Sequence, residues 1–490
     1  MSAENTSLHG EWSSQLGFIL AATGSAVGLG NIWKFPFLTG SNGGGAFVIV
    51  YLLCVLLICM PIMMAEILLG KRGRSSPINT MRNLAREYGH STAWQILGWS
   101  GVLAGFLILS YYSVIAGWAL AYVPQAAMGT FEAVAHLPQA EVVGFVSAIF
   151  DNLVADPWKL LFWHTVIILL CIVIVAGGIQ GGLERALRFM MPALFLLLLI
   201  LLGYAMSTPK FMEGVHFMFD VDFDKLFYPN CTEFSCEFSG QGILAAMGQA
   251  FFSLSLGMGA IMVYGAYLPK TTSITQVATI VVISDTVVAL LAGLVIFPIV
   301  FSHGLQPDQG PNLVFNTLTV AFGKMSAGNF FGTLFFILLV LAAVTSAISL
   351  IEPTVAWLIE TGRFSRISAT IFCGLAAWLL GFLTVFSFNI WKEVRPLTWL
   401  MSEQAVLDVQ PGDFVDKTWF DVLDFLTSNV MLPLGGLLIA LFTAWFLGES
   451  VLKQELALGN RGYRFWRWVL RYVAPIGVGL IFLNAIGLFS

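Results

Sequence analysis

The stretch GSAVGLGNIWKFPF, residues 24–37, lies inside an apolar run of membrane-span length and reads against it. Three glycines, an asparagine, a lysine and a proline fall where a spanning helix closes its own hydrogen bonds. Glycine costs about 1 kcal/mol against alanine in a helix interior. Hydrocarbon supplies no water to freed N–H and C=O groups, so broken helix at that depth is tolerated only where protein covers it or a cavity lies beside it. For a single span, close helix packing through small residues is the simpler account.

The surrounding chain establishes the solvent. Of 490 residues, 58% are hydrophobic and 10% charged, far from the roughly 25% charged of soluble domains. Apolar runs recur along the whole length, each able to cross a hydrocarbon core of about 30 Å. They predict an all-α polytopic membrane protein of eleven spans, near 12–38, 44–70, 95–124, 158–177, 187–206, 241–267, 275–302, 328–361, 369–388, 425–448 and 467–489. The polar leader has no positive n-region before a span-length first run, which argues against a signal peptide. A net charge of −5 gives no indication of nucleic-acid binding.

Orientation follows from the basic residues. The segments GKRGRSSPINTMRNLAR, LERALR, LPK, GRFSR and LKQELALGNRGYRFWRWVLR fall on one side, and the acidic loops 207–239 and 389–424 on the other. The positive-inside rule places residues 1–11 in the cytoplasm as a tail and the C-terminus outside. Within the loop at 303–327, PNLVFNTLTVAF has helical character and suggests an external re-entrant hairpin or lid, against a plain surface loop. Cys54, Cys59, Cys171 and Cys373 read as small buried hydrophobes. Cys231 and Cys236, in a polar loop, either pair in an oxidising compartment or stand as two free thiols.

A second interruption falls in GQAFFSLSLGMGAIMVYGAY, residues 248–267, five spans after the first. Two breaks at that separation suggest a duplicated five-span unit, and matched interruptions point to a transporter's binding site. At these residues, and at NGGGAFVIVYLL, PIMMAEILLG and FFSLSLGMGA, the chain resembles the neurotransmitter:sodium symporter family over essentially its whole length. The resemblance implies a core at 12–448 built of inverted repeats at about 12–206 and 241–448, with unwound first and sixth helices, and 467–489 as the eleventh span. It also implies two sodium ions beside a central substrate and alternating access. That geometry is known from a member of this family and is carried over here.

By resemblance, one sodium site takes the carbonyl of Ala26 with Asn31, Ser253 and Asp285. The other takes the carbonyls of Gly24, Val27 and Ala342 with the hydroxyls of Thr345 and Ser346; Ala342 and Thr345, three apart, share a helix face. Many relatives have a neutral asparagine where Asp285 stands and a chloride-binding serine one turn on. Here the turn ends in Ala289. An intramembrane carboxylate is costly and marks function by default, so Asp285 is expected to supply the charge that chloride supplies elsewhere, with no chloride required.

The substrate carboxylate is expected at N–H groups around Leu29 and Gly30 and at the Tyr112 hydroxyl, where half-helix dipoles favour an anion. Ala26, Gly28, Ile108, Phe252, Ser253, Ser255, Met258, Ser346 and Leu350 complete the pocket. Amine-transporting relatives carry an aspartate at the position of Gly28, so glycine implies a substrate bringing its own carboxylate. Met258 stands where some relatives have phenylalanine and suggests a bulkier hydrophobic or aromatic L-amino acid. Taken alone, each of these apolar residues reads as ordinary core.

Gates form a third layer of the resemblance. Lys34 and Asp424 match the external ionic gate, with Gln249 nearby and Tyr112 and Phe252 as an aromatic lid. Lysine lacks arginine's bidentate fork, so the latch is looser. On the cytoplasmic side Trp12 and Glu360 match gate positions, with His9 in place of the usual arginine. Glu66 matches a glutamate that braces the unwound sixth helix, and Gly182 with Pro192 a spacing associated with unwinding of the fifth. No metal-ligand cluster, nucleophile–base pair or phosphate loop suggests an enzyme. The expected function is sodium-coupled import of an amino acid across a bacterial inner membrane; an amino-acid-binding membrane receptor, or a carrier of taurine or GABA, is the alternative.

Overall fold

A computed structural model describes residues 10–228, 238–305, 313–400 and 414–485. Among them the secondary structure is helical, apart from one isolated bridge joining Gly44 and Val221. Among the described residues, nine helices are long and apolar enough to cross a membrane. The pair Gln15–Ala26 and Gly30–Ser41, bent by 51°, makes a tenth span. The sixth expected span consists of Gln241–Ser253 and Ala260–Ala266, each too short to cross alone. The expected eleven spans are thus nine whole and two broken, and the two broken ones are those the sequence singled out.

Local chemistry explains both breaks. Ser14 caps the first helix by accepting from the Gly17 amide at 3.1 Å, and the helix ends where Val27 turns extended, with ψ 107°. In the sixth span Ser255, Gly257 and Gly259 have φ of 53°, 81° and 76°. At Gly257 a Cβ would also sit 2.5 Å from the Leu432 carbonyl oxygen. Only glycine meets both the left-handed backbone and the close approach.

The long third span, Thr92–Ala127, packs along the eighth, Gly328–Glu360, in the middle of the molecule. Their most apolar windows are 83% and 78% buried, against 33% for Pro157–Ala176, Ile179–Met206 and Asn460–Leu483 at the lipid-facing rim. The first span's lower half packs against the eighth and the fifth. The fifth begins at Ile179, eight residues before its expected start, because the glycine-rich segment Ile179–Glu184 forms a wide π-helical turn continuous with Arg185–Met206. Leu313–Thr317 and Leu318–Lys324 give the loop between the seventh and eighth spans its helix, which packs on the turn Thr130–His136. Cys54, Cys59, Cys171 and Cys373 are buried free thiols; Cys231 and Cys236 lie outside the described residues.

Candidate functional site

The break in the first span faces the break in the sixth, and polar groups converge between them. The Asn31 amide nitrogen donates to Ser253 Oγ at 2.9 Å and to Asp285 Oδ1 at 2.7 Å, and its Oδ1 accepts from the Gly28 amide at 3.0 Å. Ser253 Oγ donates to Asp285 Oδ2 at 2.7 Å. All three side chains are buried. A carboxylate at this depth is tolerable only with such partners.

A second set of oxygens lies across the first span. Ser346 Oγ is 3.4, 3.5 and 3.3 Å from the carbonyl oxygens of Gly24, Ser25 and Val27. Thr345 Oγ1 donates to the Ala342 carbonyl at 3.0 Å. Hydroxyl hydrogen bonds are ordinarily near 2.7–2.8 Å, so the Ser346 hydroxyl is shared loosely among three carbonyls. The set is neutral and consists of hard oxygens, the donor type suited to an alkali cation.

A small cavity lies beside both sets. Ser25, Ala26, Gly28, Gly30, Ile108, Tyr112, Phe252, Ser253, Ser255, Met258, Ser346 and Leu350 line it. Leu29 lines the larger cavity above instead, although its amide donates to the Tyr112 hydroxyl at 3.3 Å. Ser25 was missed by sequence reasoning: its carbonyl accepts from Ser255 Oγ at 2.7 Å, tying the two breaks together. At Gly28 a Cβ would lie 2.6 Å from Ser346 Oγ and 3.1 Å from the Tyr112 hydroxyl, so a side chain there would fill the pocket. Glu66 Oε2 accepts from the Gly257 amide at 3.2 Å, within the unwound sixth span.

Above this cavity Lys34 and Asp424 line a larger one of about 230 Å³ with Tyr111, Tyr112, Phe252 and Phe420. They face each other across it without an ion pair. Lys34 Nζ sits 4.5 Å over the Phe252 ring, and Asp424 Oδ1 accepts from Ser428 Oγ at 3.0 Å. Gln249 donates to the Gly30 carbonyl at 2.8 Å, so it holds the broken backbone.

On the opposite side the Trp12 backbone and indole N–H groups donate to the carbonyls of Tyr267 and Tyr264 at 3.0 and 3.1 Å. Glu360 accepts from the Ser76 amide and from Asn79 Nδ2, each at 2.6 Å, and from the Ser76 hydroxyl. His9 lies outside the described residues. Gly182 lies so close to the fourth span that a Cβ would meet the Ile174 carbonyl, and Pro192 sits inside the continuous helix Arg185–Met206. Sequence reasoning also missed a buried network here. Arg366 engages both oxygens of Glu352 at 3.0 and 2.6 Å and donates through Nε to the Val175 carbonyl at 2.9 Å, while the Tyr267 hydroxyl donates to Glu352 at 2.8 Å. The signal was an unremarked glutamate, Glu352, in an apolar span.

Two broken spans enclosing a buried cavity flanked by polar clusters, with a vestibule above and a hydrogen-bonded plug below, make a solute carrier of the bilayer. The family model described as "Sodium:neurotransmitter symporter family" matches residues 9–136 and 139–391. A sodium-dependent transporter of Bacillus subtilis is 37% identical over 98% of this chain and 98% of its own length. The solved structure of MhsT in complex with L-phenylalanine is 40% identical, with a TM-score of 0.82 over 97% of this chain and 99% of that one. A human sodium-dependent neutral amino acid transporter is 22% identical over 96% of this chain and 72% of its own. The chain belongs to the sodium:neurotransmitter symporter family, a family of sodium-dependent multi-pass transporters and not of enzymes.

Proposed function

We propose that the protein imports a hydrophobic or aromatic L-amino acid together with two sodium ions, by alternating access and without chloride. The observation that carries the substrate class is Gly28. Even a Cβ there would stand 2.6 Å from Ser346 Oγ and 3.1 Å from the Tyr112 hydroxyl, so no acidic side chain fits beside the amides of the broken first span. The negative charge facing those amides is then one the substrate itself brings, since helix N-termini favour anions. Ile108, Met258 and Leu350 give the rest of the cavity an apolar wall, and the 40%-identical MhsT has been solved with L-phenylalanine.

One sodium would sit among Ala26, Asn31, Ser253 and Asp285, and the other among Gly24, Val27, Ala342, Thr345 and Ser346. The Asp285 carboxylate stands against Asn31 and Ser253, so the first site holds a fixed negative charge and needs no anion from solution. Lys34 and Asp424 close the vestibule once substrate is bound. Trp12, Glu360 and, by sequence position, His9 act at the cytoplasmic exit. Opening there lets the fifth span yield at Gly182 and Pro192. The two halves, 12–206 and 241–448, move against each other in a bacterial inner membrane with the N-terminus in the cytoplasm.

The test is concentrative uptake in proteoliposomes under a sodium gradient, with competition by all common amino acids, taurine and GABA. Uptake that needs sodium and is best competed by hydrophobic or aromatic L-amino acids supports the reading. Binding without accumulation, or preference for taurine or GABA, contradicts it.

A further inference from the structure

The eleventh span opens with NRGYRFWRWVLRYVAPIG, residues 460–477, whose basic residues entered above only as a sign of orientation. In the structure it is one continuous helix, from Asn460–Trp468 through Val469–Val473 to Ala474–Ala485. One side is packed inward: Tyr463, Trp466, Val469 and Leu470 are buried, and the Trp466 indole donates to the Pro61 carbonyl at 3.3 Å.

The opposite side is exposed and ordered along the axis. Arg461 and Arg464 come first, then Phe465, Trp468 and Tyr472, then Ile476. Spacings of three and four residues put them on one face. At 1.5 Å per residue the row from Arg461 to Ile476 spans about 22 Å, the distance from a headgroup layer well into hydrocarbon. A charge-to-aromatic-to-aliphatic order matches the layers of one bilayer leaflet, with aromatic rings at the headgroup boundary.

The arginines of this stretch are not equivalent. Arg467 is used within the protein, at 3.0 Å from Glu449 and 2.9 Å from the Tyr463 hydroxyl. Arg471 binds the Ala444 carbonyl at 2.9 Å and lies 4.7 Å from the Trp445 ring centre, and Trp445 in turn meets Tyr472 edge-on at 5.9 Å. Arg461 and Arg464 have no acidic partner among the described residues. Arg464 Nε donates to the Asn460 carbonyl of its own helix at 3.4 Å. Two guanidinium groups without an acidic partner beside exposed rings are chemically suited to a phosphodiester, which arginine engages bidentately.

We propose that this face is a binding site for an anionic phospholipid. Arg461 and Arg464 hold its phosphate, Trp468 and Tyr472 flank the glycerol region, and Ile476 meets the acyl chains. None of these residues lines the substrate cavity or the vestibule above it, and the site does not depend on what the carrier transports.

Native mass spectrometry of the full-length protein, titrated with phosphatidylglycerol or phosphatidylcholine, tests this. The wild type should bind phosphatidylglycerol preferentially, and the preference should collapse as ammonium acetate is raised. At about 1 kcal/mol per basic residue near an anionic surface, R461Q/R464Q should weaken phosphatidylglycerol binding roughly thirtyfold. R461K/R464K should retain part of the preference, and R86Q/R363Q, which removes two exposed arginines elsewhere, should retain all of it. Equal affinity of the wild type for both lipids would overturn the proposal. So would an undiminished preference in R461Q/R464Q, an equal loss in R86Q/R363Q, or a dimer that dissociates in R461Q/R464Q, which would assign the face to a second copy. Should R461Q/R464Q fail to fold, the headgroup preference and salt dependence of the wild type and R461K/R464K still decide.

Discussion

The two oxygen clusters flanking the first span's break are built to different tolerances. Around Asp285 the side chains hold one another at 2.7–2.9 Å. Around Ser346 the oxygens are neutral and stand 3.3–3.5 Å from the hydroxyl they share. With Asp285 ionised, as the proposed sodium site requires, that cluster is ordered without help, because hydrogen bonds to an ionised group are roughly twice as strong as neutral ones. A neutral cluster of carbonyls has no such internal tie, and the backbone that supplies it can open. On the proposed function, the tight cluster therefore suits an ion bound together with substrate, and the loose one suits the ion that is released first.

That contrast can be broken most severely at Asp285. Asp285→Ala should cut sodium-driven uptake on the order of a hundredfold, since it removes the charge and leaves Asn31 and Ser253 buried with partners lost. Uptake within a few-fold of wild type would remove the carboxylate from the ion site. Gly28→Asp should reduce amino-acid binding nearly as far, because its Cβ alone would stand 2.6 Å from Ser346 Oγ; equilibrium binding of labelled phenylalanine or leucine measures it. Thr345→Val removes one hydroxyl from the neutral cluster and keeps its shape. Half-saturation for sodium should rise by roughly five- to tenfold, the worth of about one hydrogen-bonding oxygen, with the maximal rate little changed. The smallest expected effect is that of chloride: replacing it by gluconate should leave wild-type uptake the same, and a collapse would show that Asp285 does not supply the needed charge.

The readability of these features from sequence differed by cause. Breaks in the first and sixth spans were legible because clustered glycines, joined in the first by asparagine and lysine, oppose an apolar context within a few residues. The fifth span's start was not, since Gly181, Gly182 and Glu184 look like a loop until the fourth span packs against them and a π turn absorbs them. Ser25 and Leu29 exchanged places because a 51° bend, which no spacing rule supplies, decides which residues of the break face the cavity. Glu352 was legible as a lone glutamate in an apolar span, but its pairing with Arg366 was not. Fourteen residues and a turn between two spans separate them, so each reads as a lone charge, one buried and one topological, until tertiary packing joins them with Tyr267.

The central claim is that both oxygen clusters hold sodium. It is tested most directly by counting bound radioactive sodium on the purified protein in saturating amino acid, for wild type and Asp285→Ala. The account predicts two ions per wild-type protein and one for the variant, the survivor sitting at Thr345 and Ser346. A wild-type count of one, or a variant that still binds two, would contradict it.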